Sequence, residues 1–233
     1  MSDLKNIKLS KPTVGDIVPS TGQKIQIRPF TVGDEKILLI ASESKENKQM
    51  ASSLMQIVKN CIETDLEKEL QSYDYEYLFL KIRAVSVGET SDIGIKCKEC
   101  EAANMLKVNV SDIQVKNIDK FESFIKFDEN LGFKMKIPNL SETADLDTSS
   151  VDSIFELIVS CVDSVYFGED IIEVTDSNKK DLESIIDQMS SEQFIKLRNF
   201  YESVPKVSKN IEFVCGSCGH DNKLRLEGLA SFF

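Results

Sequence analysis

Two short stretches decide the fold of this chain: Cys97-Lys98-Glu99-Cys100 and Cys215-Gly216-Ser217-Cys218. Each CxxC lies between two runs of alternating polar and apolar residues, which is typical of β-strands. These runs cover residues 93–96 and 105–110 around the first CxxC, and residues 211–214 and 223–226 around the second. We therefore predict two β-hairpins, each with a CxxC at its tip.

The four cysteines of these hairpins are candidate metal ligands. Zinc prefers four ligands in a tetrahedron, and a CxxC turn between two strands supplies two thiolates from one side. Cys97, Cys100, Cys215 and Cys218 would complete one such shell, although residues 101–214 lie between the two pairs. Gly216 and Gly219 suit turns that need a positive φ. The spacing predicts one structural Zn²⁺ in a zinc-ribbon-like element.

Other uses of the cysteines are weighed against zinc. A redox dithiol of the thioredoxin kind begins a helix in a βαβ unit, and neither CxxC has that setting. Disulfides or free thiols are the further alternatives. His220 is the single histidine and could replace one thiolate, but four cysteines already close the shell. Cys61 and Cys161 fall on apolar helix faces and are expected to be buried core thiols.

The rest of the chain predicts an α+β fold with helical bundle segments. Helices are expected from residue 31 to about 44, over 48–63 and 74–87, from 150 to 165 as one continuous apolar stripe, and in two further segments that end at Pro205. Residues 123–127 and 132–137 resemble strands, and residues 139–149 a loop. We divide the chain into an N-terminal arm and strand (1–30), a helical part (31–90), a β part (91–138), a second helical part (150–205), and the second hairpin with an apolar tail (209–233). These parts are expected to form one integrated domain.

Composition excludes several classes of protein. The 233 residues are 41% hydrophobic, and the formal net charge is −11. A nucleic acid or an anionic membrane would need clustered Lys and Arg, so neither partner is expected. No apolar run is long enough for a transmembrane helix, and the N-terminus has no signal-peptide core. We expect the chain to fold in a reducing cytoplasm, where cysteines are more often metal ligands than disulfides.

Catalytic groups are scarce. One histidine leaves little room for a Ser-His-Asp or Cys-His system, and neither a Walker A loop nor a dinucleotide-binding glycine motif is present. A zinc ion held by four cysteines keeps no open position for water. We therefore predict that the protein is not an enzyme.

Several separate blocks resemble one known family. They are PSTGQKI at residues 19–25, RPF at 28–30, DEKILLIASES at 34–44, DYEYLFLKIRA at 74–84, SVGE at 86–89, FYE at 200–202 with Pro205, and the closing residues 228–233. In this order they resemble the baseplate hub subunit and hub-assembly family of T-even-type contractile-tailed phages. The resemblance implies a phage tail protein that builds the central hub, with other baseplate or hub proteins as partners. It implies residence in the host cytoplasm during assembly and allows residence in the virion.

Two questions stay open from the sequence. The apolar tail, with Leu229, Phe232 and Phe233, could contact a partner or fold into the protein's own core. The alternative function is that of a transcription-related zinc-ribbon protein that binds nucleic acid. The charges at the two CxxC turns, which we call the knuckles (residues 97–101 and 215–219), argue against it. Lys96 and Lys98 at the first knuckle are offset by Glu99 and Glu101, and Asp221 lies beside the second.

Overall fold

The computed structural model describes residue 9 and residues 12–144 and 150–232. These residues form seven α-helices and eleven β-strands, so the predicted α+β class is confirmed. None of the helices in this part of the chain combines the length and the apolar character that crossing a bilayer requires.

The first element among the described residues is a β-hairpin, where the sequence predicted an extended arm followed by one strand. Strand β1 (Val14–Ile17) pairs antiparallel with β2 (Lys24–Ile27). Gly22 has a φ of +71° and closes the turn, in which the Gly22 N–H donates to the Val18 carbonyl at 2.8 Å. Residues 14–17 of the predicted arm are thus extended, and they form a strand because the turn at Gly22 brings the chain back to pair with them. Residues 1–8, 10 and 11 lie outside the described residues.

Three helices follow as predicted: α1 (Val32–Ser44), α2 (Asn47–Cys61) and α3 (Ser72–Val87). Thr31 and Asp34 form the expected capping box at the start of α1. Along α3, Leu78, Leu80 and Ile82 are all fully buried, so this helix is covered on more than one side.

The two predicted CxxC hairpins are present. The first joins β3 (Thr90–Lys96) to β4 (Ala103–Asn109), and the second joins β10 (Lys206–Val214) to β11 (Asp221–Glu227). A short strand, β5 (Gln114–Lys116), pairs with the start of β10. In both hairpins the two strands are antiparallel, and each CxxC lies in the turn that connects them.

A four-stranded antiparallel sheet in the order β6-β7-β8-β9 forms the other β element. Its strands are β6 (Phe124–Lys126), β7 (Leu131–Met135), β8 (Val162–Phe167) and β9 (Asp170–Glu173). Two sequence predictions are corrected nearby. Residues 139–149 contain a short helix, α4 (Leu140–Thr143), while residues 145–149 lie outside the described residues.

The second correction concerns the apolar stripe from residue 150 to 165. Helix α5 (Val151–Ser160) ends at Ser160, and Val162 and Val165 belong to β8. Valine and aromatic residues favour strands, and Val165 pairs with Phe133 on one side and Ile172 on the other. Helical spacing concealed this strand, because Val162 and Val165 are three residues apart and would share one face of a helix, whereas in a strand they lie on opposite faces.

Two helices precede the second hairpin, α6 (Lys179–Asp187) and α7 (Ser191–Ser203). Ser190 and Gln193 form the predicted capping box of α7. The buried side chains form three clusters, which we call the α1–α3 core, the sheet core and the hairpin core. The hairpin core packs α3 against both CxxC hairpins and the C-terminal 3-10 helix (Leu229–Phe232), and its buried members are Leu80, Ala84, Ile93, Val108, Val110, Ile113, Val207, Ile211 and Phe232.

Candidate metal centre

The two hairpin tips meet, and they bring the four cysteines predicted as ligands into one cluster. The Sγ atoms of Cys97, Cys100, Cys215 and Cys218 all lie within 4.8 Å of one another. The first cysteine of each pair is buried and the second is exposed. The cluster therefore lies at the surface end of the paired hairpins, with two sulfurs turned inward.

The sulfur separations suit a metal ion better than a disulfide. Across the two hairpins, Cys97 Sγ lies 3.8 Å from Cys218 Sγ, and Cys100 Sγ lies 3.7 Å from Cys215 Sγ. A disulfide would need about 2.05 Å. Tetrahedral zinc with Zn–S bonds of about 2.3 Å places its sulfurs about 3.8 Å apart. The geometry therefore fits the group that the spacing predicted.

The two knuckle turns have the same backbone geometry. The N–H of Cys97 donates to the Ala102 carbonyl, and the N–H of Cys215 donates to the His220 carbonyl, both at 2.9 Å. The residue after each second cysteine is left-handed: Glu101 has a φ of 56° and Gly219 a φ of 73°. Gly219 thus has the positive φ that the sequence suggested, whereas Gly216 does not.

Hydrogen bonds to sulfur favour the thiolate form of the inward pair. Backbone N–H groups of Cys218 and Ser217, helped by the Asn104 amide, lower the pKa of Cys215 to about 6. The backbone N–H of Cys100, with the Asn222 amide and the Glu99 N–H, lowers the pKa of Cys97 against the effect of burial. These donors are the kind that stabilise a metal-bound thiolate.

Cys218 differs from the inward pair in the direction of its pKa shift. The His220 N–H acts to lower its pKa, but the three neighbouring sulfurs and the loss of solvation raise it to about 12. The neighbouring sulfurs accept hydrogen bonds from the protonated Cys218 thiol and so favour its neutral form. A divalent cation among the sulfurs would favour the thiolate form instead.

Sequence reasoning missed two residues at this site, Asn104 and Asn222. Their Nδ2 atoms lie 3.7 Å from Cys215 Sγ and 3.4 Å from Cys97 Sγ, respectively. A sequence signal existed, because each asparagine follows the second cysteine of its own hairpin by four residues, as in CKECEAAN and CGSCGHDN. The spacing gave no sign that each asparagine would reach the opposite hairpin.

The remaining cysteines and the histidine lie elsewhere. Cys61 and Cys161 are fully buried, as predicted, and burial raises the pKa of Cys161 to about 12. His220 is exposed, and the cluster of close ligand atoms among the described residues does not include it.

The C-terminal tail folds back onto the protein. Phe232 is fully buried in the hairpin core, and its carbonyl accepts a hydrogen bond from Ser91 Oγ at 3.0 Å. Leu229 is half-buried and packs against both the α1–α3 core and the hairpin core. Of the two roles left open for the tail, these contacts favour the core role for Leu229 and Phe232. Phe233 lies outside the described residues.

Fold and site together define a mixed α+β protein in which two distant CxxC hairpins bring four thiols to one point. The chain belongs to the T4 bacteriophage base plate protein family, whose model matches residues 11–233. It is 23% identical over 210 residues to the "Baseplate hub assembly protein gp26" of Enterobacteria phage T4, which covers 90% of this chain and 92% of that protein. No solved structure matches the chain.

Proposed function

We propose that this protein is a non-enzymatic component of phage baseplate hub construction, either a hub subunit or a hub-assembly chaperone, stabilised by one structural zinc ion. The single observation that carries the hub role is the family match over residues 11–233. A relative named for hub assembly, matched over nearly its whole length, supports the same role. The partners would be other baseplate or hub proteins, met in the host cytoplasm during assembly or in the virion.

The zinc part of the proposal rests on the cluster of Cys97, Cys100, Cys215 and Cys218. Four thiolates would fill the tetrahedral shell of the ion and leave no position for water or substrate. Such an ion stabilises the fold and supplies no Lewis-acid chemistry. It would connect two hairpins that are far apart in sequence, and the free energy of metal binding would then contribute to folding.

The five sequence segments would act as one integrated domain. Tyr77 and Leu229 each pack against both the α1–α3 core and the hairpin core. Helix α3 contributes buried side chains to the same two cores, Leu78 to one and Leu80 to the other. These shared side chains support cooperative folding of the two cores.

A nucleic-acid role for the knuckles is the less favoured alternative. Lys98 is a basic side chain at the first tip, and its Nζ donates to the Lys223 carbonyl of the other hairpin at 3.0 Å. This lysine thus joins the two hairpins, and acidic residues flank it at Glu99 and Glu101. A phosphate-binding surface would instead present several unpaired basic groups.

Quantitative mass spectrometry of purified mature particles, beside hub-assembly intermediates from infected cells, tests the hub role. A fixed small copy number in mature particles identifies a structural subunit. Presence in the intermediates alone identifies an assembly chaperone. Absence from both contradicts the proposal.

X-ray absorption at the zinc edge tests the metal role on the protein purified without chelator. We expect four sulfur neighbours at about 2.3 Å. A shell that contains nitrogen or oxygen, or a protein without zinc, would contradict a four-cysteine site.

A further inference from the structure

The two halves of the candidate metal centre share one sequence pattern and one set of contacts. Each hairpin carries the pattern C-x-x-C-x-x-x-N, with the asparagine at Asn104 in the first and at Asn222 in the second. The burial of the cysteines and the left-handed residue of each knuckle repeat in the same order. The asparagines repeat as well, and their contacts cross between the hairpins.

Asn104 belongs to the first hairpin and completes the knuckle of the second. Its Oδ1 accepts a hydrogen bond from the Gly216 N–H at 3.0 Å. Its Nδ2 faces Cys215 Sγ at 3.7 Å and also donates to the Ala102 carbonyl at 2.9 Å. One side chain therefore fixes its own turn and the opposite one.

Asn222 makes the same set of contacts in the reverse direction. Its Oδ1 accepts from the Lys98 N–H at 3.0 Å, and its Nδ2 faces Cys97 Sγ at 3.4 Å. The Nδ2 also donates to the His220 carbonyl at 3.0 Å. Asn222 is 1% exposed, so these contacts are removed from water.

Only a short carboxamide can make this set of contacts. The knuckle presents a backbone donor and a sulfur acceptor within reach of one planar group, and Asn offers an acceptor and two donors on such a group. Aspartate would keep the acceptor and lose both donors. Four thiolates around Zn²⁺ also leave a net charge of −2 in a chain that is already acidic, so N–H groups directed at sulfur stabilise the ligands.

We propose that Asn104 and Asn222 are a reciprocal pair of positioning residues, each of which holds the metal-binding knuckle of the opposite hairpin in its ligating shape. This inference rests on the proposed zinc site and adds to it the residues that build the site. It follows that neither knuckle is complete until the two hairpins have met. The site then forms as one unit rather than as two separate half-sites.

Hydrogen exchange of the Gly216 and Lys98 backbone amides in the full-length, zinc-loaded chain tests whether the two asparagines act reciprocally. Asn104→Ala should raise the hydrogen-exchange rate of the Gly216 N–H roughly tenfold and leave that of Lys98 unchanged. Asn222→Ala should do the opposite. A general loosening of the fold would instead accelerate both amides in both variants, and that result would overturn the pairing.

The zinc affinity of near-isosteric variants tests whether the asparagine N–H groups stabilise the sulfur ligands. Asn104→Asp and Asn222→Asp should each weaken zinc binding about 10- to 100-fold in competition with a chromophoric chelator. In the cobalt-loaded protein, the sulfur-to-cobalt charge-transfer band should move to longer wavelength, because the sulfur loses a hydrogen-bond donor. Asn210→Asp places the same charge change at an exposed site on β10 and is the matched control.

The outcomes separate this inference from the zinc proposal. If the unchanged chain binds cobalt and both aspartate variants keep its affinity and its spectrum, the pairing is overturned and the zinc site stands. If the unchanged chain binds neither cobalt nor zinc, the zinc site falls and the pairing falls with it. Should the buried Asn222 variants fail to fold by circular dichroism, the half-buried Asn104 variants decide the question by the same exchange and spectral measurements.

Discussion

The ion pair between Arg28 and Asp34 anchors the start of the helical part. Arg28 Nη1 lies 2.8 Å from Asp34 Oδ2, and both side chains are almost fully buried. Arg28 Nη2 also donates to the Asn60 carbonyl at 2.8 Å, which connects the chain before α1 to α2. Both residues belong to blocks that resemble the phage hub family, and here their contacts hold the fold together.

Asp34 should make the unfolding free energy depend on pH in the acid range. Burial acts to raise its pKa, but hydrogen bonds from Arg28 and Thr31 and the arginine charge lower the pKa to about 2. Because the folded pKa lies below the unfolded value, this stabilisation is complete above about pH 4 and is lost as the pH falls through about 2. The wild type should lose about 2 kcal/mol more unfolding free energy than Asp34→Asn between pH 5 and pH 2.

Urea unfolding at a series of pH values measures that difference. Asp170→Asn, at an exposed aspartate on β9, is the control for removing one carboxylate. If the curves of the wild type and Asp34→Asn run parallel down to pH 2, the ion pair does not have the assigned role.

At the residue scale, the meeting of the four cysteines agrees with the sequence. Cys97, Cys100, Cys215 and Cys218 were predicted to meet because few roles other than metal binding explain two CxxC turns between strands. Asn104 and Asn222 were not, because asparagine is common near turns and their role depends on how the hairpins pack. That packing is a long-range property that the local pattern does not contain.

The two knuckles hold all four clustered cysteines. They share one backbone conformation but differ at the left-handed position, where one has Glu101 and the other Gly219. A residue with a side chain is strained there, and glycine is not. Other elements show the limits of local pattern: α5 and β8 share one continuous apolar stripe, and only the pairing of β8 with β7 and β9 determines where the helix ends.

Opposite substitutions at the left-handed position of the two knuckles should have opposite effects on the unfolding free energy. Gly219→Ala should lower the unfolding free energy by about 1 kcal/mol, although an added Cβ would meet no atom within 4 Å. Glu101→Gly should leave it unchanged or raise it by up to about 1 kcal/mol. Thermal unfolding of the zinc-loaded chain measures both. Stabilisation by Gly219→Ala would refute the assigned backbone geometry.

The C-terminal 3-10 helix (Leu229–Phe232) should behave as part of the core. Phe232→Ala should cost about 3–5 kcal/mol, because the ring is fully buried in the hairpin core. Phe167 is 59% exposed, so Phe167→Ala is the matched control and should cost far less. Calorimetry measures the melting temperature of both variants. An unchanged melting temperature for Phe232→Ala would contradict the core role and favour a contact with a partner.

On the scale of the whole molecule, α3 and the two hairpins connect the ends of the chain. The hairpin core takes side chains from near residue 80, from both hairpins and from Phe232. The cluster of four cysteines lies at the tips of the same two hairpins, so a bound ion would secure contacts between segments far apart in sequence. The α+β class and the meeting of the hairpins could be predicted from sequence, whereas the four-stranded sheet could not, because β8 resembles the end of a helix.

Native mass spectrometry of the intact chain tests whether both hairpins hold one shared zinc ion. The wild type should carry one zinc per chain, and the Cys97→Ser/Cys100→Ser and Cys215→Ser/Cys218→Ser variants should each carry none. Cys61→Ala, at a buried cysteine outside the cluster, controls for the loss of a thiol and should keep its zinc. Two zinc ions in the wild type, or one retained in either double variant, would contradict a shared site.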